Sequence, residues 1–396
     1  MTDRTHTGRL PETYDLIVVG AGIVGLSTAW RAARAGARVL VLDKGPIAYE
    51  ASSRATGFLS LCGASPLEVP LAEAAESLWD RLDDDLGYPT EWTRKGRLWV
   101  AITPEELDEL EASHAAYQRN IGGFERIDGQ SCRGMVPALT SAVLGGIYTP
   151  RAGHANPQRA SQAFAWAFRD LGGEIREYTP VLEILTSGDR IKGVRTPQGD
   201  IHADSVVLCA GAHIAPLLAP LGLDFPVAPA RLDSMVTAPL PPMFEQALVA
   251  HGLAVRQTKR GNLHLNGGAH EWVEASVANE VAKPTTPIVQ QIVRRLLDLF
   301  PSLGQAQLLR SWAGVIDATP DLVTLVHAFD TPKGLVAASS AGHGFGMSPS
   351  LGLALAELAL DGRTNLPVAS LGLARFAHLP KDWRRVWQWE PGRYNT

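Results

Sequence analysis

Residues 14–43, YDLIVVGAGIVGLSTAWRAARAGARVLVLD, constrain the fold more than any other part of this 396-residue chain. Residues 14–19 form a short aliphatic and β-branched run that reads as a buried parallel strand. The run passes into Gly20-Ala21-Gly22-Ile23-Val24-Gly25. An apolar helical pattern then continues to Ala35, and Gly36 sits where a helix-ending glycine belongs. ARVLVLD gives a second strand that closes on Asp43. The three glycines do different things. Gly20 permits the tight turn, Gly22 lets a pyrophosphate approach the backbone, and Gly25 lets the helix pack on the strand. The helix N-terminus offers free N–H groups and partial positive charge to phosphates. Asp43 is placed to accept hydrogen bonds from ribose hydroxyls. With a strand before the glycines, a helix after them and an acid closing the second strand, the reading is dinucleotide binding.

A nicotinamide enzyme normally continues with further regular βα units. This chain turns instead to KGPIAYEASSRATGFLS, in which Ser52, Ser53, Arg54 and Thr56 are bracketed by Ala51, Ala55 and Gly57. Such a polar loop of small residues can run beside a second ligand portion, such as a flavin ring. The length suits about two domains. With 45% apolar and 19% charged residues, the composition is that of a globular protein. The net charge of -5 and the absence of a basic block give no sign of nucleic-acid binding. Residues 1–12 are polar and lack the apolar centre of a signal peptide, so they read as a flexible N-terminus. The longest apolar runs are strand-length, so no membrane span is expected. Cys62, Cys132 and Cys209 are odd in number and far apart, which points to reduced thiols in a cytoplasm. No Cys/His cluster has metal-ligand spacing, and no metal is expected.

Further on, Thr103, Pro104 and Glu106 open a helix as N-cap, N1 and N3. Asn156 and Pro157 repeat that logic, with Gly172 near the stop. EIREYTPVLEIL reads as one strand, followed by a hairpin and by SVVLCAGAH, a buried strand ending in Ala210-Gly211-Ala212. From about Pro216 the pattern becomes alternating strands bounded by prolines, suited to an antiparallel sheet. A helix over 286–300 shows Ile288, Ile292, Leu296 and Leu299 on one face. GLVAASS is a strand leading into AGHGFGMSPSLG, and a helix is expected from near Pro349 to Gly362. Parallel-sheet signals at 14–43, 174–212 and 334–362 are separated by other material. The expectation is therefore an α/β protein with a discontinuous Rossmann-like nucleotide domain (13–84, 152–216 and 331–380). An interleaved α+β substrate domain (85–151 and 217–330) would be built on a mainly antiparallel sheet. A Trp-rich tail (381–396), with Trp383, Trp387 and Trp389, packs on the body or docks a partner subunit.

Seven segments in register resemble the FAD-dependent amine and amino-acid oxidoreductases of the D-amino-acid oxidase superfamily: DLIVVGAGIVGLSTAWRAARAGARVLVLDK, ASSRATGF, GHANPQRASQAF, VVLCAGAH, GNLHLNGG, SWAGVIDATPD and AGHGFGMSPSLGLALAELALDG. Within it, the chain is most similar to the sarcosine oxidase β-type, glycine oxidase and D-hydroxyproline dehydrogenase-like branch. The resemblance implies an FAD domain under an antiparallel roof. It implies that backbone from Gly342, His343, Gly344, Phe345, Gly346 and Met347 lies against the flavin. The following helix would aim its N-terminus at the ring's pyrimidine edge, where negative charge develops on reduction. The cofactor-binding set is completed by Gly20, Gly22, Ile23, Val24, Gly25, Asp43, Lys44, Ser52, Ser53, Arg54, Thr56, Gly57, Val181, Ala210 and Gly211.

The implied reaction is hydride transfer from the carbon next to an amine nitrogen to flavin N5, giving an imine that water hydrolyses. The substrate is an N-methyl, cyclic or D-amino acid or another amine; electrons leave to O2 or an electron-transfer acceptor. His343, His264 and Asp317 are the candidate catalytic residues. His264 falls where related oxidases carry an oxygen-activating lysine, which leans the reading toward a dehydrogenase. Asp317 either attracts a cationic amine or accepts backbone hydrogen bonds in a turn. Ile316 stands where glycine oxidase has its carboxylate-gripping arginine, leaving Arg54, Arg231 or Arg256 to hold a carboxylate. Gly314 lies near the place of the covalent flavin cysteine of monomeric sarcosine oxidases, so FAD is expected to be non-covalent. Rival readings are a flavin monooxygenase, which usually shows a GD motif where this chain has GHGF, and a flavin subunit active only in a hetero-oligomer; as to assembly, a homo- or a hetero-oligomer is open.

Overall fold

The computed structural model describes residues 13–59, 65–274 and 282–387. Residues 1–12, Cys62, Trp389 and the end of the tail lie outside them. The chain opens with β1 (Thr13–Val19), α1 (Ile23–Arg34) and β2 (Val39–Leu42), the expected βαβ unit. The polar loop becomes α2 (Ala51–Arg54) and β3 (Phe58–Leu59). After it come α3 (Val69–Trp79), α4 (Leu82–Leu86), β4 (Arg97–Ala101), α5 (Pro104–Asn120), β5 (Glu125–Asp128), α6 (Gly129–Met135), β6 (Gly145–Thr149) and β7 (Gly153–His154). The chain then returns through α7 (Pro157–Asp170), β8 (Glu174–Arg176), β9 (Glu183–Ser187), β10 (Arg190–Thr196), β11 (Gly199–Leu208) and α8 (Ile214–Leu218). β12 (Ala228–Pro239), β13 (Ala247–Ala250), β14 (Leu253–Gln257), β15 (Asn262–Trp272) and β16 (Leu308–Ala318) build the second sheet with β4 to β6, and α9 (Thr286–Leu299) lies between β15 and β16 in the chain. The chain closes with β17 (Leu325–Ala328), β18 (Leu335–Ser339) and α10 (Gly344–Asp361).

The first sheet runs β17-β18-β11-β1-β2-β8, with the β9–β10 hairpin attached to β11. β11, β1, β2, β8 and β18 pair in parallel. Its central strands are continuously apolar because helices cover one face and the hairpin and α8 the other; all four residues of β2 are buried. The second sheet runs β16-β12-β15-β14-β13-β4-β6-β5 and is antiparallel except for the β13–β4 pair. The architecture is thus α/β, a Rossmann-like layer plus an antiparallel sheet, as the sequence pattern implied.

Local chemistry explains the element ends. Thr103 accepts from the Glu106 N–H at 3.2 Å, and Glu106 reaches back one residue further than in a simple capping box, to the Ile102 N–H at 2.9 Å. Asn156 accepts from the Arg159 N–H at 3.3 Å. Two expectations need correction. The segment 174–185 is two strands, because Tyr178 turns with φ 54° and Pro180 withholds a donor. The last helix starts at Gly344, five residues before Pro349. Pro349 is inside the helix and buried. It cannot donate to Phe345 O, and the Ser348 hydroxyl donates there instead at 2.9 Å.

α10 packs tightly on α1. A Cβ on Gly352 would lie 2.3 Å from Ser27 Oγ, and one on Gly344 3.3 Å from Val24 Cγ2. The N-termini of both helices therefore converge on one place, between the parallel sheet and the antiparallel one. Among the described residues, no helix is long and apolar enough to cross a membrane. Trp383 stacks edge-on against Trp272, and Trp387 donates to Pro320 O at 2.9 Å, so the described part of the tail packs on the body.

Candidate active site

A narrow cavity of about 200 Å³ lies over the C-terminal ends of β1, β2 and β11. Gly20, Gly22, Ile23, Val24, Asp43, Lys44 and Ser52 line one side of it, and Val181, Ala210 and Gly211 the other. Gly20 holds φ 109°, and a Cβ there would meet Cys209 O at 2.4 Å. Gly25 does not line the cavity. Its role is close packing: a Cβ would fall 2.0 Å from Gly20 O. Ser52 Oγ accepts from the Ile23 N–H at 2.9 Å and so stands at the α1 N-terminus. Asp43 accepts from the Ala21 N–H at 2.6 Å and the Gly45 N–H at 2.8 Å. Burial pushes the Asp43 carboxyl upward, against those two donors. Lys44 Nζ lies 3.0 Å from His213 Nε2 and 3.7 Å from Glu50.

This cavity meets a larger cleft of about 570 Å³ at Ile23, Val24, Ala51, Ser52, Asp317 and Ser340. The floor of the cleft is Arg54, Thr56 and Gly57, then Gly342 to Met347 at the start of α10. Its roof includes Leu232, Ser234, Gly314 and Ile316 of β12 and β16. Trp79 fixes the first turn of α10: its indole donates to Gly346 O at 2.7 Å and its ring packs 5.3 Å from Phe345. A Cβ on Gly346 would meet Phe58 O at 2.9 Å, so this residue type is set by close backbone approach.

Three charged or titratable groups in the cleft escaped the sequence reading: Glu68, Arg97 and His270. Glu68 is fully buried. It accepts from the Thr324 N–H at 2.7 Å and the Thr324 hydroxyl at 2.6 Å, across 256 residues of sequence. His343 Nδ1 lies 3.5 Å from its carboxylate. Burial disfavours both charges, but the Glu68 bond and charge, with Asp317, carry His343 above its ordinary value, while Arg97 opposes. In turn, the imidazole and the two Thr324 donors outweigh burial and hold Glu68 below the usual carboxylate range. Although packed about by protein, the His343 side chain keeps 43% of its surface open to the cleft.

Of the two open readings of Asp317, the geometry fits the turn. Its carboxylate accepts from the Ser340 N–H at 2.7 Å, the Ser339 hydroxyl at 2.9 Å and the Gly342 N–H at 3.3 Å. It thereby ties the end of the roof strand β16 to the β18–α10 turn.

Several expected site residues lie elsewhere. His264 does not line the cleft. It shares a strand face with Asn266, but at 264 the strand has passed beyond the cleft, over Trp312 at 5.1 Å between rings. Burial, with Arg256 beside it, lowers His264 to about 3, so it is neutral and supplies no oxygen-activating cation. It borders a separate hollow of about 930 Å³, together with Ser53, Arg256, Lys259 and Arg310. Ser53 therefore faces that hollow and not the cleft. Of the three arginines considered for a carboxylate, Arg54 alone lines the cleft, and its Nη1 already donates to Ala313 O at 2.5 Å. Arg231 is bound to Glu271 and Thr285, and Arg256 to Thr56 O.

Taken as one trough, the two cavities fit a ligand with a nucleotide end and a flat ring end. Gly22 and Gly211 leave backbone bare at the narrow end, where a Cβ on Gly211 would meet nothing within 4 Å. At the wide end the buried Thr56 hydroxyl has no partner among the described residues, an orphan that a bound polar ring edge would satisfy.

Comparison with known proteins agrees. The family model described as FAD dependent oxidoreductase matches residues 15–358. The β subunit of sarcosine oxidase from Rhodobacter capsulatus is 27% identical over 92% of this chain and 88% of its own. Glycine oxidase from Geobacillus kaustophilus superposes with a TM-score of 0.85 at 26% identity, covering 92% of this chain and 99% of that one. L-proline dehydrogenase from P. horikoshii superposes with a TM-score of 0.84 at 26% identity, covering 93% and 98%. With its glycine-framed trough and a family match over most of its length, the chain belongs to the FAD-dependent oxidoreductase family, among the amine and amino-acid oxidases and dehydrogenases.

Proposed function

We propose that the chain oxidises the C–N bond of a secondary amine or amino acid, in the class of N-methyl, cyclic or D-amino acids, to an imine that water hydrolyses. The relatives act, by name, on sarcosine, glycine, dimethylglycine and proline. The observation that carries the reading is the junction of the nucleotide cavity and the roofed cleft at Ile23, Val24, Ser52 and Asp317. FAD, when bound, supplies the two-electron acceptor for hydride from the carbon beside the amine nitrogen. Gly22 and the α1 N-terminus would hold its pyrophosphate, Asp43 its ribose, and the Gly342–Met347 backbone its ring. Ile316 and Leu232 exclude water from the roof side, and His343 offers the cleft a polar, proton-bearing group. The nucleotide-binding part is proposed as 13–84, 152–216 and 331–380, and the substrate part as 85–151 and 217–330. Electrons pass on to O2 or to an electron-transfer acceptor. The sarcosine oxidase β-subunit likeness supports work within a hetero-oligomer as a second reading. Cys132 and Cys209 are free thiols, which supports a reducing, cytoplasmic setting.

The test is anaerobic mixing of the FAD-loaded protein with a panel of amines. At least one secondary amino acid is expected to bleach the visible flavin band within seconds. If dithionite bleaches the band and no amine does, the reading is wrong. FAD is also expected to be non-covalent. Cys209 lies at the nucleotide end rather than beside the ring, and burial pushes its thiol up to about 12. Acid precipitation should release all the flavin; flavin retained by the pellet refutes this.

A further inference from the structure

We propose that Glu68 and His343 form a proton-accepting pair for the substrate amine, with His343 as the catalytic group that meets the amine and Glu68 as the residue that positions it. The inference rests on the amine-oxidising reading above and adds the residue that prepares the amine for it. Most amines arrive in neutral solution as ammonium ions, and an ammonium nitrogen has no lone pair with which to expel hydride. That proton has to leave before hydride can, and a basic group lining the cleft is placed to take it. The step is balanced as an N–H bond broken on the ammonium and an N–H bond formed on the imidazole; the electron pair of the broken bond stays on the amine.

The geometry selects this pair. His343 stands at the N-cap of α10, yet its side chain makes no capping bond and turns toward Glu68. Nδ1 faces the carboxylate, which leaves Nε2 for the cleft. Glu68 is held in place by both donors of Thr324 and cannot swing away. A fully buried carboxylate beside a ring open to the cleft does two things. It favours the protonated ring once a proton arrives, and it draws a cationic amine inward before transfer. The other charges facing the ring are Asp317, which is turned back onto Ser339, Ser340 and Gly342, and Arg97 from β4. Neither replaces Glu68: Asp317 is engaged in the turn, and Arg97 carries the wrong sign.

The test uses FAD-loaded protein with 15N in its histidine rings. In the native protein the His343 ring is expected to titrate above its ordinary 6.5. The acidic limb of the anaerobic flavin-reduction rate should follow it. Glu68→Gln keeps an oxygen for the Thr324 donors and so keeps the fold. It should lower the ring titration and the rate limb together by about one pH unit and cut the plateau rate roughly 10-fold. Glu68→Asp should restore part of both shifts, which a merely structural carboxylate would not do. His343→Asn, which leaves the Glu68–Thr324 bonds intact, should remove the limb. A limb unchanged in Glu68→Gln and His343→Asn, with amines still bleaching the flavin, overturns the pair and leaves the oxidase reading standing. A ring titration unmoved by Glu68→Gln overturns it as well. Failure of every amine to bleach the native flavin overturns both.

Discussion

Gly22→Val is expected to give a folded, colourless protein whose FAD dissociation constant is raised roughly 100-fold. Gly22 is the N-cap of α1 and has φ -69° and ψ 169°, a conformation open to any residue. Backbone strain therefore contributes little. The new side chain would crowd Ser52 Oγ, 3.2 Å from a Cβ, and occupy the face of the helix N-terminus on which a pyrophosphate must sit. Charge-assisted bonds from backbone N–H groups are worth about 1.5–3 kcal/mol each. Losing one or two of them gives a change of that order in affinity. Gly25→Ala, three residues on, serves as the contrast. Its Cβ would fall 2.0 Å from Gly20 O, and no side chain can move to relieve it. The helix must lift from the strand, at a cost of about 3 kcal/mol in the apo-protein. Isothermal titration with FAD and urea unfolding of the apo-proteins separate the two effects. A Gly22→Val protein that binds FAD as tightly as the native chain would show that the phosphates lie elsewhere.

That contrast also shows what the sequence made legible. Gly20, Gly22 and Gly25 were readable because their roles depend on spacing within one βαβ unit, which local sequence encodes. The caps Thr103 and Asn156 were readable for the same reason. What failed depends on partners far away. Pro349 reads as a helix start, yet α10 begins at Gly344, because contacts from Trp79 and Val24 stabilise a glycine-rich first turn that intrinsic propensity disfavours. Glu68, just before an amphipathic helix, resembles an ordinary surface acid until Thr324 covers it. His264 lies on an alternating strand of the second sheet, but alternation does not say how far along the strand the cleft extends. Alternation gives direction and leaves position to the tertiary fold.

Asp317→Asn is expected to cost about 2–5 kcal/mol and to lower the rate of flavin reduction roughly 100-fold. The carboxylate gathers two backbone N–H groups and two serine hydroxyls at the place where the roof strand meets the turn into α10. An amide cannot accept at its nitrogen, so at least one of those part-buried N–H groups loses its acceptor and faces a donor instead. Each buried unpaired donor costs about 1–3 kcal/mol. The rate falls for a separate reason. Gly342 and His343 follow directly on this turn, and a displacement of about 1 Å between reacting groups is enough to cost a factor of 100. Ser339→Ala removes one hydroxyl, which also accepts from the Ala341 N–H, but leaves both N–H bonds to Asp317, so it should cost about 1–3 kcal/mol and spare the rate. Urea unfolding of the FAD-loaded proteins and single-turnover bleaching provide the two readings. Should Asp317→Asn weaken substrate binding alone, with stability and the limiting bleaching rate unchanged, the carboxylate would be a handle for the amine and not the pin between roof and turn.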